Sequence, residues 1–362
     1  MTTHEHATLD GSTRRYRVVQ WATGNVGRRS LRAVLEHPSL SLVGVYVHSE
    51  AKAGRDAGEL CGLPAVGIRA TRDIDEILAL QADCVLYMPQ GCNFDELCLI
   101  LASGTNVVTT RGELNNPEQL DPAVRERVED ACRRGNSSIH ATGSSPGFIT
   151  EALPLVLTSI QRRLDSLRIH EFADVSSRDS PELLFQIMGF GQPRMPQADE
   201  ARARYLGRAF GPSLQLVARA LGLPLDAIDA RGEVASARRD IRIAAGVIGA
   251  GTVAAQRTTI SGMRGGKPLI SFSANWYCST DIDADWDLRP TGWRVEVCGD
   301  TPLEIEVRFP VPAERWAEVS PNLTAHRPVN AIPYVCAAAP GIRTTVELPQ
   351  VIADLSEPAT RG

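Results

Sequence analysis

The chain has 362 residues, with Lys+Arg 38 against Asp+Glu 43 and a formal net charge of −5. That charge excludes a nucleic-acid binder working through bulk positive charge, and 43% hydrophobic with 22% charged residues is a globular balance, not a disordered one. At about 100–200 residues per domain, the length suggests two domains.

The longest nearly uncharged apolar stretch, Ile243 to Ala255, contains three glycines and is too short to span a bilayer. Residues 1–15 are polar, lack an apolar signal core and read as a disordered lead-in. The eight cysteines form no C-x-x-C pair and several sit inside apolar runs. Buried free thiols in a reducing cytoplasm explain them better than disulfides or zinc, so a cytoplasmic chain without a metal site or membrane partner is expected.

The first ordered run, Tyr16 to Trp21, is a short apolar strand. A Gly-rich turn follows, then a helix from Arg28 to His37, stopped by Pro38. Leu42 to Val47 is a continuous apolar strand of the kind buried on both faces of a parallel sheet. Thr71 or Asp73 can cap a helix through Leu80, and Asp83 to Met88 is the next strand. Asn93 with Glu96 resembles a capping box opening a helix to about Ser103. Asn106 to Thr110 is a strand, Asp121-Pro122 opens a helix to Arg134, Ser138 to Thr142 is a strand, and Ser145-Pro146 starts another helix. Such alternation predicts a doubly wound α/β Rossmann domain with a mostly parallel sheet over 16–148.

The pattern then changes. Leu167 to Ala173 is strand-like, and Glu200 to Leu221 reads as a helix with Tyr205, Leu206, Phe210, Leu214, Val217 and Leu221 on one face. Five runs between Gly232 and Phe309 alternate with period two. They predict an α+β domain with a mainly antiparallel sheet over 149–328, serving substrate binding and oligomerisation. Residues 329–362 form a tail with a helix around Ile332 to Ala339. A return to the first domain is one placement, which sequence alone does not decide.

The turn after the first strand reads Trp21-Ala-Thr-Gly-Asn-Val-Gly27-Arg. Against G-x-G-x-x-G, Ala22 takes the first position, with Gly24 and Gly27 in place. The second glycine lets the backbone approach a pyrophosphate, the third permits close helix–strand packing, and the helix N-terminus supplies N–H donors. Ala22, Thr23, Gly24, Asn25, Val26 and Gly27 are therefore the predicted dinucleotide cradle; the strand before and helix after give the motif its context. An NAD-type site places an acid at the end of the second strand. Here the strand ends at His48 and Ser49, and Ser49, Lys52 and Arg55 can surround a 2′-phosphate. Glu50 can still accept from a ribose. NADP is the favoured cofactor and NAD the alternative.

Catalytic groups in such sheets lie beyond the carboxyl ends of strands. The loops concerned carry Pro89 and Gln90, then Thr110 and Glu113, then Gly143 and Pro146. Glu113 is the carboxylate close behind a strand end, and burial beside a nicotinamide would suit it to acid/base work; a cap or a solvent-facing residue is the alternative. His170 is the second candidate, although such a histidine is more often structural. Met188 to Gly191 and Trp276-Tyr277 read as core or as substrate walls. No H-E-x-x-H or P-loop appears.

The runs WATGNVGR, GVYVHSEAKAGRDAGEL, TTRGEL, GSSPGF, MGFG and VNAIPYVCAAAPGI together resemble the dihydrodipicolinate-reductase-like oxidoreductases. Within them the chain is similar to the 2,4-diaminopentanoate dehydrogenase and native amine dehydrogenase branch. The resemblance implies a Rossmann domain plus an α+β domain, commonly in a homodimer. It also implies NAD(P)-dependent interconversion of an amine plus water with a ketone or aldehyde plus ammonia, and it carries Glu113 over as catalytic. Two departures stand out. The paired-histidine and lysine motif of true dihydrodipicolinate reductases is absent. The branch's acidic pair is reduced to Gly112-Glu113-Leu114, which keeps only the second Glu. A related imine or enoyl reductase, or an NADPH-binding sensor without turnover, are the competing readings.

Overall fold

The computed structural model describes residues 15–356; the lead-in expected over 1–15 lies outside them except for Arg15. Seven strands form one parallel sheet: β1 (Tyr16–Trp21), β2 (Leu40–Tyr46), β3 (Ala70–Thr71), β4 (Cys84–Tyr87), β5 (Asn106–Thr109), β6 (Ser138–Ala141) and, from the far end of the chain, a strand at Gly341–Arg343. Their order is Gly341–Arg343, β6, β5, β4, β1, β2, β3. These strands are short and almost wholly apolar because both faces are covered. On one face α1 (Asn25–Glu36) brings Leu31 and Val34 against Val18, Leu86 and Val108. The other face packs Val19, Val85, Val107 and Ile139 against helices at Phe94–Ala102 and Pro122–Gly135.

The capping signals decide where helices start. Asp73 accepts from the N–H groups of Asp75 and Glu76 and opens α3 (Ile74–Ala79), whereas Thr71 is the last residue of β3 and not a cap. Asn93 caps α4 (Phe94–Ala102), but the expected box is only half made, because the Glu96 carboxylate accepts instead from the Tyr87 hydroxyl at 2.9 Å. Asp121 caps α5 (Pro122–Gly135) as its pairing with Pro122 implies. A short α2 (Ala57–Cys61) escapes the sequence pattern. It is held by Asp56, whose carboxylate accepts from the N–H groups of Gly58, Val66 and Gly67.

The second sheet contains β7 (Leu164–Asp174), β8 (Ala227–Ser236), β11 (Val253–Arg264), β12 (Lys267–Tyr277), β13 (Gly292–Gly299) and β14 (Leu303–Arg308), with a small hairpin of β9 (Ile241–Ile243) and β10 (Gly246–Ile248) beside it. Its order is β14-β13-β7-β12-β11-β8, and every pairing is antiparallel except β7 with β12. α6 (Leu153–Thr158) leads into it. α7 (Pro196–Ala220) lies across one face, with Leu206, Phe210, Leu214 and Val217 buried on Ile169, Ile260, Phe272 and Val295. Tyr205, expected on that face, is 66% exposed.

α8 (Ala313–Cys336) then runs back to the first sheet, where Val329, Ile332 and Val335 join the core beside α1, and β15 (Gly341–Arg343) pairs with β6. The sequence pattern shows only its last turns, around Ile332 to Ala339. The helix starts earlier because tertiary packing carries it through Pro321 and Pro328, which read as breakers in isolation.

His140 on β6 is fully buried, with Nδ1 2.8 Å from the Arg343 carbonyl oxygen of β15. Burial pushes its pKa down to about 4. The unfolded chain therefore takes up this proton first as pH falls. Native stability contributed at this site is intact above about pH 6.5 and is lost progressively toward pH 4, by something on the order of 3 kcal/mol. Urea unfolding of wild type and His140→Gln across that range should show the difference as a steeper decline in the wild type. Parallel curves would contradict it.

Candidate active site

Register places the business end of the first sheet. Trp21, Tyr87, Thr109 and Ala141 lie side by side across β1, β4, β5 and β6. The loops that follow them therefore emerge along one edge. Neighbouring strands are about 4.8 Å apart, so the turns after β1 and β5 are separated by about 10 Å. The order reverses direction between β1 and β4, the crevice where open α/β sheets bind ligands.

The glycine turn has the geometry its sequence requires. A Cβ on Gly27 would stand 2.2 Å from the Ala22 carbonyl oxygen, so only hydrogen fits where α1 crosses β1. A Cβ on Gly24 would meet nothing within 4 Å, leaving the backbone open to an incoming group. Gly24 caps α1 without any side-chain hydrogen bond, and the first turn holds no acidic residue. The leading N–H groups are therefore free for an anion. The Thr23 hydroxyl is buried without a partner among the described residues, and Lys52 Nζ donates to the Thr23 carbonyl at 2.9 Å. An orphaned hydroxyl, open N–H groups and a lysine converge there, which fits a phosphate-bearing cofactor. Ala22 itself sits at φ 69°, the left-handed region that the motif's usual glycine adopts freely.

The turn after β5 carries the candidate chemistry. Glu113 Oε1 accepts from Arg111 Nη2 at 2.6 Å, and Arg111 Nη1 donates to the Gln90 carbonyl at 2.6 Å, tying this turn to the loop after β4. Glu113 is not buried as a sequence-based acid/base reading would have it; its side chain is 40% exposed and ion-paired, because Arg111 draws it to the surface of the turn. Its Oε2 takes no hydrogen bond among the described residues. Arg111, Glu113 and Pro146 line a cleft of about 1,020 Å³ whose far wall is α7 and β8, including Tyr205, Arg208 and Ile228.

The segment after β6 is not the immediate helix start expected at Ser145-Pro146. Ser145 and Pro146 are extended, and Gly147 has φ 124°, a conformation an L side chain rarely adopts; a Cβ there would also press on Thr142 Oγ1 at 2.9 Å. Helical geometry begins only beyond it. Just beyond the turn, Glu151 is fully buried. It accepts from Asn115 Nδ2 at 3.1 Å, from Ser213 of α7 and from Thr345 after β15. Burial raises its pKa, opposed by those hydrogen bonds.

Of the residues singled out by sequence, Ala22 to Gly27 and Lys52 are brought together at the glycine turn. His48, Ser49 and Arg55 lie exposed on the segment beyond β2, where Glu50–Lys52 form a single tight turn. Gln90 and Glu113 are joined through Arg111. Pro89, Thr110 and Gly143 occupy the loops that begin at the level strand ends. His170 is elsewhere: it pairs in register with Arg294 and Ser273 and faces Glu296 at 3.8 Å, on the sheet face opposite α7. Burial lowers its pKa, with Glu296 opposing. Sequence reasoning missed Arg111, although it stands two positions before the carboxylate in Arg111-Gly-Glu113. It also missed Glu151, which carries no motif.

Comparison with known proteins places the chain in a family. Residues 148–360 match the 2,4-diaminopentanoate dehydrogenase C-terminal domain family, and residues 18–120 match the dihydrodipicolinate reductase N-terminus family. An amine dehydrogenase of Streptomyces virginiae is 31% identical over 91% of this chain and 95% of its own length. The chain belongs to the amine dehydrogenase family. It is an oxidoreductase of the class acting on CH–NH2 donors. The fold matches an amine dehydrogenase structure from Mycobacterium smegmatis with a TM-score of 0.73 at 20% identity, covering 94% of this chain and 97% of that one. A 4-hydroxy-tetrahydrodipicolinate reductase of Synechococcus elongatus is 31% identical over only 32% of this chain and 45% of its own.

The turn geometry makes three substitutions of the enzyme diverge. The left-handed conformation costs Ala22 about 1–2 kcal/mol, and glycine's extra unfolded-state entropy returns about 0.5–1 kcal/mol of that. Ala22→Gly should therefore raise stability by roughly 0.5 kcal/mol. Gly27→Ala should lower it by about 1–3 kcal/mol through overpacking, while Gly24→Ala is tolerated. Denaturant midpoints of the three variants check this ordering.

Proposed function

We propose that this enzyme interconverts a ketone or aldehyde and ammonia with the corresponding amine, using NADP in preference to NAD, with Glu113 as the proton-handling carboxylate. In the direction of synthesis, carbonyl, ammonia, NAD(P)H and one proton give amine, water and NAD(P)+. The observation that carries the reading is Glu113, paired to Arg111 on one oxygen and free on the other among the described residues, lining the cleft between the turns after β5 and β6 and the wall of α7 and β8.

Ala22 to Gly27 would hold the pyrophosphate through the open start of α1. Once bound, the nicotinamide supplies or accepts hydride at the substrate carbon. Arg111 fixes the orientation of Glu113, so Oε2 can take a proton from ammonium or give one to the departing oxygen. A carboxylate also pairs with the cationic iminium and ammonium forms of such a substrate. The walls from α7 and β8 narrow the cleft, which favours the carbon–nitrogen step over hydrolysis. Ser49 and Arg55 favour a 2′-phosphate, because no acid stands at the end of β2 and the Arg55 side chain has no ion pair among the described residues. A homodimer and a cytoplasmic location complete the proposal. The free state of all eight cysteines suits a reducing compartment, and among the described residues no helix is long and apolar enough to cross a membrane.

Glu113→Gln should reduce kcat for ammonium-dependent NADPH oxidation by about 10²–10⁴-fold while leaving the NADPH Kd unchanged; equal loss of both would contradict a proton-handling role. Paired Ser49→Ala and Arg55→Ala substitutions should weaken NADPH by roughly 10–100-fold, the worth of charge-assisted hydrogen bonds, and NADH much less. Fluorescence titration with both nucleotides measures the ratio.

A further inference from the structure

A second cavity, of about 290 Å³, shares no lining residue with the cleft. The segment after β6 touches both, with Pro146 lining the cleft and Phe148 the cavity. Leu153 and Val156 of α6 and Leu348 of the closing segment give it apolar walls. No carboxylate lines it, and His140, which does, is neutral at ordinary pH because burial holds its pKa near 4. Arg327 of α8 is therefore the one formal charge in its lining.

The arginine is only partly provided for. Nε donates to Thr142 Oγ1 at 3.0 Å, and the guanidinium carbon lies 5.8 Å from the Phe148 ring centroid. Its terminal nitrogens donate no hydrogen bond and form no ion pair among the described residues. Glu151 attracts the charge from a distance. The oxygens of Glu151 are already taken by Asn115, Ser213 and Thr345. The free N–H groups of this part-buried guanidinium remain open to an incoming anion, and its planar fork matches a carboxylate with two parallel bonds. The apolar walls exclude a second charge. At about 30 Å³ per water-sized group, the space takes roughly ten such groups at most.

We propose that this cavity is a second binding site, for a small monocarboxylate with an apolar tail, held through Arg327. The proposal does not depend on what the cleft turns over. An occupant would fix Arg327 and, through Thr142, the segment that carries Pro146 to the cleft.

The test uses the full-length protein with valerate as probe and valeramide as its uncharged counterpart, read by calorimetric titration and by thermal shift. Valerate should bind and raise Tm, and valeramide should bind at least 10-fold more weakly. Arg327→Gln should abolish the valerate response while retaining nucleotide binding. Should that variant fold poorly, Val156→Trp fills the cavity without touching the charge and should also abolish it. Glu113→Gln should leave valerate binding intact, because the sites are distinct. Equal binding of valeramide, undiminished binding in Val156→Trp, or displacement of valerate by the carbonyl substrate would each overturn the proposal. An absent valerate response in the wild type up to 50 mM, roughly where such weak binding loses meaning, would overturn it as well.

Discussion

The arrangement of this molecule turns on one buried carboxylate. Glu151 has no access to water, and a carboxylate in that position is tolerated only when donors reach it. Three segments distant in sequence supply them: the turn after β5, the middle of α7, and the chain just past β15. Because each donor is itself buried or partly buried, losing any one strands a polar group in the interior. The requirement fixes α7 against the first sheet, and with it the far wall of the cleft. Asn116 adds to the same seam, donating to the Pro212 carbonyl at 3.0 Å and accepting from Arg219 at 2.7 Å. The position of Glu113, two residues before Asn115, thus depends on contacts made by the second half of the chain.

The two ends of the site are built by different means. The cofactor cradle is a property of the backbone: a missing Cβ at Gly27, an open one at Gly24 and uncapped N–H groups. Side chains enter it mainly as Lys52 and Thr23. The cleft is a property of side chains and of tertiary placement, with Arg111 bridging Gln90 to Glu113 and Tyr205 turned away from the core. Backbone geometry tolerates little variation in residue type, whereas a wall of exposed side chains tolerates a great deal. A common cofactor and a variable substrate are what such a division would produce.

That division also accounts for what could be read from the residues. Alternating strands and helices and period-two runs made the two-sheet architecture legible, because those patterns follow from burial on two faces or one. Asp73, Asn93 and Asp121 announced helix starts because a cap is a local hydrogen bond. β3 is only two residues long, and α8 runs through prolines because its partners lie in the first sheet, so neither could be seen locally. Glycines at 24 and 27 were readable because steric exclusion acts over a few residues. The pairing of Glu113 was not, because it depends on Arg111 being held by the loop after β4.

The net charge of −5 said little about function because the charges that matter are local. Lys52 lies against the carbonyl of Thr23, within hydrogen-bond distance of the cradle. In the cleft, Arg111, Arg204 and Arg208 stand with Glu113, Asp121 and Asp229, so cations and carboxylates balance there. A balanced cleft does not steer either a cationic amine or an anionic substrate by its long-range field, since opposite charges screen one another beyond about a Debye length. At contact range the cleft offers the free oxygen of Glu113 and the apolar atoms of Pro146, Tyr205 and Ile228. Under the reaction proposed above, a neutral carbonyl compound arriving by diffusion would suit such a site, and the free oxygen of Glu113 would meet the nitrogen that acquires charge.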